Sequence, residues 1–270
     1  MSEEYVFHIR NASPGDLLAT LATLEAYPGT PTVGEIVARA EELGFTIRDQ
    51  QRLEALMTAR DLNLVERDEN ILTAYGQTLV QIEAGKPDLF VDLVHGLQYT
   101  LWDERRPGAY CFSWSYRTLC QILWQAGNLD LGDRRALASE VEGRARSAFG
   151  RPEISFSPKS IGGAMLWLAE LSPAVLDGER FTRRSFCPPE LFVFALGFLF
   201  RSHGIDYGTN LRLSEECRDE LCQVCLLEPG NFDRVLDYAL AQFDYLERGM
   251  GGGWGRYVTL RRAPQLGDFL

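Results

Sequence analysis

Apolar residues recur at helical spacing in three successive stretches near the start of the chain. Each stretch is preceded by a hydroxyl side chain with a carboxylate three positions later. Ser13-Pro-Gly-Asp16 leads into Leu17, Leu18, Leu21 and Leu24, Thr32-Val-Gly-Glu35 into Ile36, Val37, Ala40 and Leu43, and Thr46-Ile-Arg-Asp49 into Leu53, Leu56 and Met57. A hydroxyl at a helix start accepts from a free backbone N–H and the carboxylate reaches back, so three helices are predicted. Leu62 to Thr73 then holds two short β-prone runs around Asp68-Glu69-Asn70, which predicts a hairpin, and a fourth helix follows from Thr73. From Asp88 the spacing is helical again, predicting an all-α middle region with helices over 88–103, 115–126, 133–149, 158–171 and 189–202. Beyond it, Ser214 opens a helix to Leu227 and Pro229-Gly230-Asn231 opens another to about Leu246. A glycine-rich turn over 249–255 leads into a β-prone segment from Arg256 to Arg262.

Three helices, a hairpin and the closing segment Leu72-Thr-Ala-Tyr-Gly76 resemble the winged helix-turn-helix superfamily over about residues 13–84. The resemblance implies a recognition helix over 46–61 and a wing at Asp68. A second, weaker resemblance covers about 214–262. The fold class expected is therefore mainly α, with a winged-helix domain at 1–86, a helical domain at 87–206 and a second winged helix at 207–270.

At 100° per residue, turning Leu53, Leu56 and Met57 inward leaves Arg48, Gln51, Arg52, Ala55, Thr58 and Ala59 on the opposite face. Small residues admit a helix to a major groove, and arginine and glutamine donate to base edges. Arg48, Gln51, Arg52 and Thr58 are thus the candidate nucleic-acid contacts, although the same face also fits a solvated surface helix. The wing, Glu66-Arg-Asp-Glu69, is acidic and would be repelled by phosphate. At the C-terminal end the charges reverse, with Asp233, Asp237 and Asp244 on the helix and Arg256, Arg261 and Arg262 on the hairpin. With Trp254 at its tip, this hairpin is the candidate protein-binding surface; the alternative is a Trp254 folded onto the core.

Charge narrows the function classes further. Of a net charge of -11, nine units lie in residues 1–100, which excludes a protein that coats nucleic acid and leaves only local contact. The longest apolar run, Leu191 to Phe200, is too short to cross a membrane. Met1-Ser-Glu-Glu4 lacks a basic-then-apolar leader pattern, so a cytoplasmic protein without a membrane partner is expected. Cys217, Cys222 and Cys225 have the spacing of an iron–sulfur motif, with Cys187 as a conceivable fourth ligand, but they lie in a helical stretch and are read as core thiols. No metal and no cofactor is expected. His8, His95 and His203 sit in no nucleophile, zinc or deaminase motif, and the glycine run lacks the Lys-Ser/Thr of a phosphate loop. Trp102, Arg105, Arg106 and the segment Tyr110 to Arg117 interleave aromatics with arginine, a pattern that fits base stacking but more often marks a packed helix start. Together these features predict a non-enzymatic, DNA-associated regulator or accessory subunit of a larger assembly. The alternative is an adaptor whose winged helices bind protein rather than DNA.

Overall fold

The caps written in the sequence open helices in the computed structural model, which describes residues 5–29, 32–48, 52–253 and 255–270. Ser13 accepts from the Asp16 N–H at 3.1 Å and opens α1 (Pro14–Ala26). Thr32 and Glu35 cap one another reciprocally at α2 (Val33–Glu42). Thr73 accepts from the Gly76 N–H at the start of α4 (Ala74–Gly85), and α3 (Arg52–Asp61) lies between. Asp49, the third expected capping carboxylate, lies outside the described residues. The expected hairpin is reduced to one bridge, Val65 opposite Leu72, closed by Glu66 N–H to Ile71 O and Thr73 N–H to Leu64 O. α1 packs against α2, α3 and α4.

The middle region contains α5 (Pro87–Thr100), α6 (Cys111–Ala126), α7 (Arg134–Phe149), α8 (Pro158–Leu168) and α9 (Pro189–Ser202). It is not all-α. β1 (Asn128–Asp130), β2 (Leu176–Asp177) and β3 (Arg180–Thr182) form a small antiparallel sheet in the order β1-β3-β2, from runs too short to show alternation in the sequence. The chain continues through β4 (Asn210–Arg212), α10 (Glu215–Cys225), α11 (Phe232–Gln242) and the hairpin β5 (Leu246–Gly251) and β6 (Gly255–Leu260). Much of the expected glycine turn is thus strand. Gly249 faces Tyr257 across the ladder, and its missing side chain leaves the space that the Tyr257 ring fills. β4 adds an unforeseen third strand in the order β4-β6-β5.

Among the described residues the protein is mainly helical, and one cluster of buried side chains runs from Phe7 to Phe269 across positions 86/87 and 206/207. α9 is packed on both α10 and α11 as well as on α5. A terminal 3-10 turn, Leu266–Phe269, lies on α4, where Lys86 Nζ donates to Phe269 O at 2.9 Å. No helix among the described residues is long and apolar enough to cross a membrane.

A buried polar network joins the middle helices to α10. His95 on α5 lies between the Val224 carbonyl at 2.7 Å from Nε2 and the Tyr116 hydroxyl at 2.8 Å from Nδ1. The carbonyl only accepts, so Nε2 carries the proton and Nδ1 accepts from Tyr116. Burial, aided by the nearby Arg184 guanidinium and opposed by the Val224 hydrogen bond, pushes the His95 pKa down to about 3 from 6.5. The unfolded chain therefore binds a proton that the fold excludes. The stability tied to this imidazole is complete above pH 6.5 and is lost as the pH falls toward 3, by up to about 1.4 kcal/mol per pH unit. Urea midpoints between about pH 7 and pH 5 should fall along this slope, and His95→Gln should flatten it. Parallel slopes in the two proteins would refute this assignment.

Candidate functional site

On the N-terminal helix face expected to meet DNA, the small residues are turned inward. Ala55 and Ala59 are fully buried and Thr58 is buried, its Oγ1 donating to Glu54 O at 2.7 Å, whereas Leu53, expected in the core, is 59% exposed. α1, distant in sequence, packs against α3. The extended segment before α1 runs past α3, where Arg10 reaches Asp61 at 2.5 Å and Glu54 at 3.7 Å. Gly163 on α8 admits this segment, because an added Cβ would meet the backbone of Ile9 and Arg10.

Arg48, an exposed residue, is paired with α1. Its Nη2 lies 2.8 Å from Asp16 Oδ2 and its N–H donates to Asp16 Oδ1 at 3.2 Å. Asp16 is buried, which alone would raise its pKa. Hydrogen bonds from Ser13 and Arg48 outweigh that penalty and hold the carboxyl below the usual carboxylate range. The carboxylate that receives the Ser13 hydroxyl therefore also holds Arg48, ahead of α3. Arg52 is half-buried at the first described turn of α3, and Gln51 lies outside the described residues. Of the four predicted nucleic-acid contacts, Thr58 is thus withdrawn from solvent, while Arg48 is exposed and ion-paired to Asp16.

At the other end, Asp233 and Asp237 of the helix pair with arginines, whereas Asp244, expected on the same helix, lies beyond the end of α11. Arg256 pairs with Asp233 at 2.8 Å, and Arg218 reaches the same carboxylate at 3.5 Å. Arg248, on β5 and outside the expected arginine set, pairs with Asp237 at 2.6 Å. Arg261 pairs with Glu247 on the adjacent strand. Arg262 grips Asp268 at 2.6 and 2.9 Å and stacks over Tyr245 at 4.0 Å. The predicted partner-binding arginines are therefore held within the chain, though Arg261 and Arg262 remain well exposed. Trp254 lies outside the described residues. Tyr238 on α11 and Met250 on β5 are exposed apolar side chains beside this charge ladder, and the periodicity used to read the sequence did not single them out.

The chemistry elsewhere is sparse. Cys187, Cys217, Cys222 and Cys225 are free and buried, and burial pushes the Cys217 and Cys222 thiols up to about 12. No group of three or more histidine, cysteine or acidic side chains among the described residues is placed to hold a metal ion. The segment from Tyr110 to Arg117 starts α6 at Cys111, earlier than expected, with Tyr116 buried and Ser113 accepting from the Trp102 N–H at 3.0 Å. Arg117, by contrast, lines a cleft of about 780 Å³ between the ends of α5 and α9, the loop after α5 and residues 263–266. No protein-family model, curated protein or solved structure matches the chain.

Proposed function

We propose that the protein is a non-enzymatic accessory subunit of a larger assembly, with winged-helix-like ends that bind protein rather than DNA. Support for winged-helix ends comes from element order. α1, α2 and α3 precede a rudimentary hairpin, and α9, β4, α10 and α11 precede the hairpin β5–β6. The observation that carries the choice of protein over DNA is the internal neutralisation of the cations that a DNA reader would need free. Asp16 holds Arg48, while Asp233, Glu247 and Asp268 hold Arg256, Arg261 and Arg262. Affinity for duplex DNA depends on cations that displace counterions from phosphate, and a paired arginine must first break its own salt bridge. Exposed charge ladders beside apolar Tyr238 and Met250 suit the rim and anchor of a protein interface instead.

Fluorescence anisotropy with labelled duplex DNA at physiological salt tests this. Binding no tighter than about 100 μM, near the weak end of non-specific association, is expected. Submicromolar binding that is lost in Arg48→Ala, Arg52→Ala protein would restore the DNA reading. Cross-linking and mass spectrometry in native cells should place Tyr238 and Met250 against a partner protein.

A further inference from the structure

The cleft between α5, α9 and residues 263–266 is unusual in this chain because of its sign. Acidic residues outnumber basic ones 38 to 27 overall, yet the cleft is lined by four arginines, Arg105, Arg106, Arg117 and Arg201, against two carboxylates, Asp103 and Glu104. Asp103 is already bidentate to Arg105, and that contact holds its carboxyl down at about 2. Arg106, Arg117 and Arg201 have no ion-pair partner among the described residues.

Arg117 is fixed without a counter-charge. Its Nε donates to Tyr99 O at 3.0 Å and its Nη2 to Trp102 O at 2.9 Å. The guanidinium also lies over the Phe198, Trp102 and Tyr99 rings, at 4.9, 5.4 and 5.6 Å from their centroids. Backbone carbonyls and ring faces orient the cation, and Glu104 and Asp103 act on it only from beyond ion-pair distance. Beside it, Phe194, Phe198, Leu97 and Tyr207 supply apolar wall. Arg106 and Arg201 are exposed. A volume of about 780 Å³ falls within the roughly 300 to 1,000 Å³ of small-molecule sites.

We propose that this cleft binds a small organic anion with an apolar body, its acidic group held by Arg106, Arg117 and Arg201 and its body against the Phe194 and Phe198 rings. An aliphatic carboxylate and a nucleoside monophosphate share this chemistry. Neither DNA nor a protein surface is needed for the site, so it stands or falls apart from the assembly role.

The probe is 8-anilinonaphthalene-1-sulfonate, an aromatic anion, compared with its uncharged analogue N-phenyl-1-naphthylamine, by fluorescence titration of the full chain. Saturable binding of the sulfonate at one site per chain is expected. Arg106→Gln with Arg201→Gln should weaken the sulfonate by about tenfold or more and leave the uncharged dye nearly unchanged. Both substitutions are on exposed side chains, and an unaltered thermal midpoint verifies the fold. Phe198→Ala should weaken both dyes. Displacement of the sulfonate by decanoate identifies a carboxylate ligand and displacement by adenosine monophosphate a phosphate. Displacement by neither rejects the class. Absence of a saturable site, or equal loss of both dyes in the arginine variant, overturns the proposal.

Discussion

Asp92→Ala is expected to destabilise the fold by about 3 to 5 kcal/mol, the cost of leaving a buried charge without its partner. Asp92 and Arg184 are both wholly buried, with Oδ1 and Nη1 2.6 Å apart. Asp92 Oδ2 also accepts from the Ser172 N–H at 3.1 Å, and Arg184 Nε donates to Cys225 O at 2.7 Å. The pair thereby ties α5 to the segment before α9 and to the end of α10. Removing the carboxylate strands a guanidinium that cannot deprotonate, and its Nη2 already lacks an acceptor among the described residues. The double variant Asp92→Leu, Arg184→Met removes both charges and should recover at least about 1 kcal/mol over the single change, since the desolvation cost disappears with them. Guanidinium unfolding midpoints of the three proteins measure this. A single variant within about 1 kcal/mol of the parent would show that solvent reaches the pair.

Gly76→Ala is the second large effect, expected to cost about 2 to 3 kcal/mol although alanine favours helices. An added Cβ would run into the Leu64 carbonyl oxygen and come within 3.1 Å of its carbon and 3.3 Å of Leu72 Cδ2. That carbonyl accepts from the Thr73 N–H, so it cannot retreat without opening the hairpin. Gly85, at the other end of α4, has open space at its Cβ position and serves as the control. Gly85→Ala should be neutral or stabilising by up to about 1 kcal/mol. Equal effects at both positions in denaturant titrations would remove the steric argument.

Gly76 also shows which parts of the fold were legible. The closing segment Leu72-Thr-Ala-Tyr-Gly76 is legible as part of the winged-helix resemblance, and the close approach of Leu64 to α4 is the reason glycine stands there. Caps at Ser13, Thr32, Thr73 and Ser214 were readable because each is settled within four residues. The orientation of α3 was not, because α1 and Arg10, which meet it, lie far away in sequence, and Leu53 gave a misleading inward signal. β1 to β4 contain two or three residues each and fall below any detectable alternation. The cleft was legible only in part. Arg105, Arg106 and Arg117 stood out beside aromatics, but Arg201 and Phe198 reach the same place from α9, about a hundred residues away.

The 3-10 turn against α4 has a consequence for biosynthesis. Lys86 and the Phe269 carbonyl that it holds are 183 positions apart. At a synthesis rate of about 5 to 20 residues per second, α4 leaves the ribosome roughly 10 to 40 s before the residues that cover it. Throughout that interval the face of α4 that receives Phe269 stays open to water and to neighbouring nascent chains. Slowing translation between residues 86 and 266 would lengthen this exposure, so yield of folded protein should depend on codon usage in that stretch more than on codon usage before it.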